Sequence, residues 1–469
     1  MQLGDLLDDL SLDVTTGRIE IDSVQIDSRE CTPGALFFAM PGHGRNGAYF
    51  AGDAVARGAV AVVAAEHLDI GVPVVTVPSS QLRALLAEAS AAIVGHPETR
   101  TELVGVTGTN GKTSVTTMVA QLAQALDWNG ASIGTLTNER TTPAPPELFR
   151  TLASIVDGFD HGRRRAVVAL EVSSHALDQG RVDGLRFAAA GFTNLSHDHL
   201  DYHTTMEEYF SAKERLFSRE RCQRAVVWVD DPYGARLAEQ INVALTVVRR
   251  SDASDVESSL AGTTFVWRGL PVSTSLVGGY NVDNSLMAMT IMSVLGAHDV
   301  QIVAAMAAVT GVPGRFQVIR SHGVVVIVDY AHTPEGLRRL LADVRAASGD
   351  ARVLTVFGCG GDRDRAKRPE MGEVASNYSD VSFVTSDNPR SEEPDAIIDA
   401  IMSGVVAGAQ VRRIVERREA IAEALRSARR GDVVVIAGKG HEVTQTIGDL
   451  VVPFDDRVVA QELLENMQC

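Results

Sequence analysis

Short runs of β-branched residues alternate with longer Ala- and Leu-rich stretches along most of this chain. That pattern predicts parallel sheets flanked by helices, an α/β fold. Ala166-Val167-Val168-Ala169-Leu170 is apolar at every position, as a strand buried on both faces must be. Four later runs share one device, an apolar strand opening into a polar loop. Val324 to Val328 leads to Asp329-Tyr330-Ala331-His332, and Val353 to Phe357 leads to Gly358-Cys359-Gly360-Gly361-Asp362. Val381 to Thr385 leads to Ser386-Asp387-Asn388-Pro389-Arg390, and Asp432 to Ile436 leads to Ala437-Gly438-Lys439-Gly440-His441-Glu442. In a parallel sheet these loops emerge at one edge, so their charges are expected to converge. Near the start, Val60 to Glu66 and Val72 to Val77 predict strands of a smaller α/β unit.

A chain of 469 residues is too long for one core. Polar His96 to Arg100 reads as a linker and Gly311-Val312-Pro313-Gly314 as a hinge. The expected domains are therefore 1–98, 99–312 and 313–469. A net charge of −17 argues against nucleic acid or an anionic membrane as partner. No run approaches the roughly 18 apolar residues that would span a bilayer. The acidic N-terminus lacks the basic start of a signal peptide. Cys31, Cys222, Cys359 and Cys469 lie far apart without metal-ligand spacing, so reduced thiols in a cytoplasmic protein are expected. Separately from the cysteines, a monomer is expected.

The sharpest chemical signal is Leu103-Val104-Gly105-Val106-Thr107-Gly108-Thr109-Asn110-Gly111-Lys112-Thr113-Ser114. An apolar strand enters, glycines turn the chain, and a helix leaves. Successive amides at such a helix start can face phosphate oxygens. Lys112 would reach the outer phosphates of ATP and the Thr113 hydroxyl would hold Mg2+. The spacing departs from the standard phosphate loop, whose first glycine falls here on Val106.

Glu171 ends the run from Ala166, where α/β proteins place ligands, and so suits Mg2+; a solvated strand-end glutamate is the alternative. Three histidines and two aspartates crowd His197 to His203, but no zinc framework accompanies them. Tyr209, Lys213, Leu216 and Phe217 share one helical face. Lys213 on that apolar stripe needs a partner, a changed charge, or a path to solvent. Arg368, Asn388, Arg390 and Glu442 together suit a zwitterionic amino acid, because guanidinium binds carboxylate in a fork.

Thr107-Gly108-Thr109-Asn110-Gly111-Lys112-Thr113 resembles the phosphate loop of the Mur ligases and of the folylpolyglutamate and cyanophycin synthetases. The resemblance to the Mur ligases continues through nearly the whole chain. It implies a small α/β N-terminal domain, a central P-loop ATPase-like parallel sheet and a C-terminal Rossmann-like domain. It also implies ATP and Mg2+, with Gly108, Thr109, Asn110, Gly111, Lys112, Thr113 and Ser114 around the phosphates. Asn281, Asn284, Arg315 and Asp329 would complete the nucleotide contacts. Lys213 would be carbamylated and would act with His199 and Glu171 around the metal.

Glu171 to Val182 and Asn194 to His203 are similar to the family branch that adds the third amino acid of the peptidoglycan precursor. By that likeness Ser28, Arg29, Thr141, Thr142, Ser173, Gln179 and Arg181 would contact a UDP-N-acetylmuramoyl-dipeptide. Arg368, Asp387, Asn388, Arg390, Gly438 and Glu442 would hold the incoming diamino acid. Asp387-Asn388-Pro389-Arg390 matches the pattern of enzymes adding meso-diaminopimelate. Asn46 to Phe50 depart from the family pattern at the sugar-nucleotide contacts, and Gln317 and Val443-Thr444 depart from it in the third domain, which leaves L-lysine, another amino acid or a non-peptidoglycan acceptor as alternatives. A degenerate nucleotide-gated scaffold would be expected to have lost Lys112, Thr113, Glu171, His199 or Lys213, and all five are present.

Overall fold

A computed structural model describes residues 1–9, 19–42, 46–138, 140–163, 165–198 and 200–467. They form two compact units, Met1–Arg249 with Met287–Ile302, and Arg250–Leu286 with Val303–Cys469.

The first unit opens with a four-stranded parallel sheet, β1 (Ser23–Gln25), β2 (Ala35–Phe38), β3 (Ala59–Ala64) and β4 (Val74–Thr76), paired in chain order. The helix Leu82–Ala92 turns Leu82, Leu86 and Ala89 onto Leu36, Phe38, Val63 and Val75. Its Ala87 and Ala91 enter the core of the next sheet, so one small-residue helix serves two cores. The stretch expected as a linker forms a 3-10 turn, Pro97–Arg100, with Pro97 buried and Arg100 Nη1 paired to Asp157 at 2.8 Å.

The second sheet holds β5 (Glu102–Thr107), β6 (Asn129–Ile133), β7 (Ala166–Glu171), β8 (Ala189–Phe192), β9 (Arg224–Trp228) and β10 (Ala244–Val248). All its pairings are parallel, in the order β10-β9-β8-β5-β7-β6. The order reverses at β5, which lies between β7 and β8. Loops at such a switch point part in opposite directions and open a crevice. The phosphate-loop sequence leaves β5 there, flanked by the ends of β7 and β8.

The second unit begins with an antiparallel meander that the sequence reading did not anticipate. It comprises β11 (Ala253–Ser259), β12 (Gly262–Trp267) and β13 (Leu270–Thr274). Its signal is the period-two burial of Thr263, Phe265 and Trp267. Next come β14 (Gln317–Ser321), β15 (Val324–Asp329), β16 (Val353–Phe357), β17 (Val381–Val384), β18 (Val411–Arg413) and β19 (Val433–Ala437), ordered β14-β15-β19-β16-β17-β18. Only β14 runs antiparallel. The four loop-bearing strands are thus neighbours, and their loops share one edge as expected. A hairpin, β20 (Thr444–Ile447) and β21 (Leu450–Pro453), follows. No helix among the described residues is long and apolar enough to cross a membrane.

Candidate active site

In the first unit, Gly108 (φ +147°) and Gly111 (φ +86°) adopt backbone angles that favour glycine. A Cβ on Gly108 would also collide with Thr193 Oγ1. The loop therefore lies tight against the end of β8. Thr109 N donates to Asn194 O at 2.9 Å, Asn110 N donates to Asn194 Oδ1 at 3.0 Å, and Thr193 Oγ1 donates to Asn110 O at 2.6 Å. The helix Lys112–Ala125 starts at the turn, with Thr113 and Ser114 buried in its first turn. Lys112 Nζ folds back onto Gly108 O and Thr109 O, both at 2.8 Å.

Glu171, at the end of β7, is 2% exposed, so it is not a solvated strand end. Thr113 Oγ1 donates to its Oε2 at 2.9 Å and Thr135 N to its Oε1 at 2.9 Å, with Thr135 Oγ1 also 3.3 Å from Oε2. β6 pairs with β7 through Ile133 and Leu170, which brings Gly134 and Thr135 against this carboxylate. The Thr113 hydroxyl and the Glu171 carboxylate form a hard oxygen pair beside the phosphate loop, the donor type that suits Mg2+.

Lys213 lies on the helix Met206–Glu214, and the predicted face continues through Leu216 and Phe217 as a 3-10 turn. It is 1% exposed, which removes the path to solvent. Its Nζ donates to Gly108 O at 2.9 Å and stands 4.6 Å over the Tyr209 ring. Burial, then the nearby Lys112 charge, pushes its pKa well below the ordinary lysine value. His199 lies outside the described residues.

The expected acceptor residues form a connected network. Thr142 Oγ1 donates to Glu171 O at 2.8 Å and accepts from Ser173 N at 3.1 Å. Thr141 Oγ1 accepts from Thr135 Oγ1 at 3.1 Å. Arg181 donates to Thr142 O at 2.8 Å and from Nε to Gln179 Oε1 at 3.0 Å, and Gln179 Nε2 reaches Tyr202 OH at 3.2 Å. In the N-terminal sheet Ser28 is buried, whereas the Arg29 side chain is 81% exposed and pairs with Asp27. The Arg29 guanidinium holds the Asp27 carboxyl down at about 2.

In the second unit, Asp329 ends β15 and accepts from Phe316 N at 2.7 Å and Ala331 N at 2.8 Å. Burial pushes its pKa up. Arg315 stacks over Tyr330 at 4.2 Å, and Tyr330 lies 4.9 Å from His441. Asn281 and Asn284 are buried on the helix Gly279–Val294, where Asn281 Nδ2 donates to Val277 O at 2.8 Å. Gln317 Oε1 accepts from Gly314 N at 2.9 Å, so a neutral amide secures the hinge turn.

At the ends of β16, β17 and β19 the expected amino-acid residues meet. Asn388 Nδ2 donates to Glu442 Oε2 at 2.8 Å, and buried Lys439 donates to the same oxygen at 3.1 Å. A Cβ on Gly438 would lie 2.5 Å from Asp387 Oδ2, so glycine leaves room for that carboxylate. Arg390 takes a left-handed φ of +51° and donates to Gly361 O at 2.8 Å. Arg368 is 3% exposed and forks onto Glu392 at 2.9 and 3.1 Å. Sequence reading missed the fully buried pair Arg417 and Asp456, joined at 2.7 and 2.8 Å. Arg417 also donates to Ala437 O at 3.0 Å and Ser386 O at 3.4 Å, beside Gly438 and Asp387.

The turn between β5 and its helix, set at a switch point beside a buried carboxylate, defines an α/β protein of the P-loop class. Residues 106–292 match the Mur ligase middle domain, 314–440 the Mur ligase glutamate ligase domain, and 20–124 the Mur ligase family catalytic domain. The chain belongs to the Mur ligase family. It is 42% identical to a UDP-N-acetylmuramoyl-L-alanyl-D-glutamate--2,6-diaminopimelate ligase of Gloeobacter violaceus, over 99% of this chain and 98% of that protein. A ligase of the same name from Geobacillus kaustophilus is 43% identical over 96% of each chain. A solved structure of a ligase so named superposes with a TM-score of 0.70 at 30% identity, covering 100% of this chain and 99% of that one.

Proposed function

We propose that this protein is an ATP-dependent ligase that joins meso-diaminopimelate to UDP-N-acetylmuramoyl-L-alanyl-D-glutamate in peptidoglycan precursor synthesis. The observation that carries this reading is end-to-end similarity to ligases of that name, 42% identical over 99% of the chain. The Asp387-Asn388-Pro389-Arg390 loop beside Glu442 supports the choice of amino acid. Arg390 suits the second carboxylate that distinguishes diaminopimelate from lysine.

A carboxylate is a poor electrophile and must be activated. The acceptor carboxylate attacks the γ-phosphorus of ATP, giving an acyl phosphate and ADP. The amine then attacks the acyl carbon, the tetrahedral adduct loses phosphate, and the nitrogen sheds its proton. Lys112 neutralises charge on the transferring phosphoryl group, and positioning supplies much of the remaining acceleration. Thr113 and Glu171 are the residues that would hold Mg2+, which when bound offsets phosphate charge. An uncharged Lys213 amine can add to carbon dioxide, losing a proton and becoming an anionic carbamate. Its burial and depressed pKa favour the uncharged amine that this reaction needs.

ADP release measured with UDP-N-acetylmuramoyl-L-alanyl-D-glutamate and a panel of amino acids tests the reading. Meso-diaminopimelate is expected to be the best substrate. Preference for L-lysine would move the assignment to the other branch, in keeping with the unusual Val443-Thr444. No ADP release with any amino acid would refute the ligase reading.

A further inference from the structure

β17 ends at Val384, so the residues expected to read the amino acid, Asp387 to Arg390, lie beyond the sheet and outside its ladder. The loop after β16 holds one side of them, Gly361 N donating to Asn388 O at 2.9 Å, and the hairpin β20–β21 holds the other through four hydrogen bonds. Gln445 is 5% exposed and its Nε2 donates to Asp387 O at 2.5 Å. Thr446 N donates to Asn388 Oδ1 at 2.9 Å. Arg390 N donates to Thr446 O at 3.1 Å, and Gly448 N donates to Arg390 O at 2.7 Å, making a parallel bridge between Arg390 and Ile447. Lys439 Nζ ties the start of the hairpin through Thr444 O at 2.6 Å. A left-handed arginine persists only where its surroundings over-determine it, and these bonds do so on both sides of Arg390.

We propose that the hairpin Thr444–Pro453 is the positioning element of the amino-acid subsite, and that Gln445 is the positioning residue through which it sets Asp387 to Arg390. This rests on the ligase reading above. Gln445 acts through the loop backbone, so its loss is felt in recognition of the amino acid and not in acyl-phosphate formation.

The test is Gln445→Met in the full chain, which keeps length and volume but removes the donor. Acyl phosphate is trapped with hydroxylamine in the absence of amino acid, and ADP release is titrated with meso-diaminopimelate. The KM for meso-diaminopimelate is expected to rise roughly tenfold, as a buried carbonyl loses its donor, while the trapping rate and the KM for ATP stay unchanged. Amide exchange of residues 386–391, followed by mass spectrometry, is expected to quicken in the variant. An unchanged KM for meso-diaminopimelate overturns the proposal, as does a parallel fall in the trapping rate. Should the native chain ligate nothing, the ligase reading fails on its own. Exchange across 386–391 then still decides the positioning claim, and an unchanged rate overturns it.

Discussion

Replacing Gly134 with alanine isolates the placement of one carboxylate. A Cβ at this position would stand 2.6 Å from both Cγ and Cδ of Glu171, and nearer still to Oε1. Ordinary contacts to a Cβ fall at 3.4–4 Å, so the carboxyl group must retreat by about 1 Å. It is buried and held by the Thr113 hydroxyl and by the amide and hydroxyl of Thr135, so retreat disturbs the geometry of these bonds. Gly134 is not among the glycines with positive φ, so alanine brings no backbone strain and the effect is confined to the side chain. A displacement of about 1 Å in a reacting assembly costs on the order of 100-fold, or about 2.7 kcal/mol of barrier. The kcat for ADP release is therefore expected to fall about 100-fold, and the Mg2+ concentration giving half-maximal rate is expected to rise. Circular dichroism checks that the variant stays folded at the assay temperature. A folded Gly134→Ala enzyme with kcat within threefold of the parent would refute the reasoning, because Glu171 would then have no need of its position.

Lys213→Ala is expected to abolish ligation, and return of activity on adding a short-chain carboxylic acid in the rate assay would identify the missing group as an anion. Asp456→Ala strands the Arg417 charge in a fully buried site and is expected to cost about 3–5 kcal/mol, read from the urea midpoint. Burial, with the Arg315 and Arg457 charges, lowers the His441 pKa from 6.5 to about 4. The unfolded chain therefore binds the extra proton first, so the stability from neutral His441 is complete above pH 6.5 and is lost as pH falls from 6.5 towards 4. His441→Gln is expected to flatten denaturation midpoints across that interval.

Much of the site can be read along the chain because it lies where strands end. The run Ala166 to Leu170 announces a buried strand, and Glu171 follows it; the same rule finds Asp329, Asp387 and Gly438. What pattern cannot supply is the neighbour across the sheet. Thr135 sits in an ordinary polar loop, and only the β6–β7 register brings it to Glu171. Arg417 and Asp456 stand at the starts of two helices and look like surface charges, yet both are fully buried against each other. Gln445 belongs to a four-residue strand whose importance comes from a loop far away in sequence. The meander of β11 to β13 was missed because β11 is almost wholly exposed and carries little apolar signal.

In the second unit's main sheet, the strand made last occupies an inner slot. β19 lies between β15 and β16 and pairs with both, although more than a hundred residues separate it from the start of β15. Until Ala437 has left the ribosome, the growing chain holds two open ladders, one on β15 and one on β16. Each is a row of unsatisfied amides and carbonyls able to recruit the wrong strand. The missing piece, Val433 to Ala437, is wholly apolar and wholly buried. Nascent or truncated products that stop short of it are therefore expected to clump, and this sheet can close only after β19 has emerged.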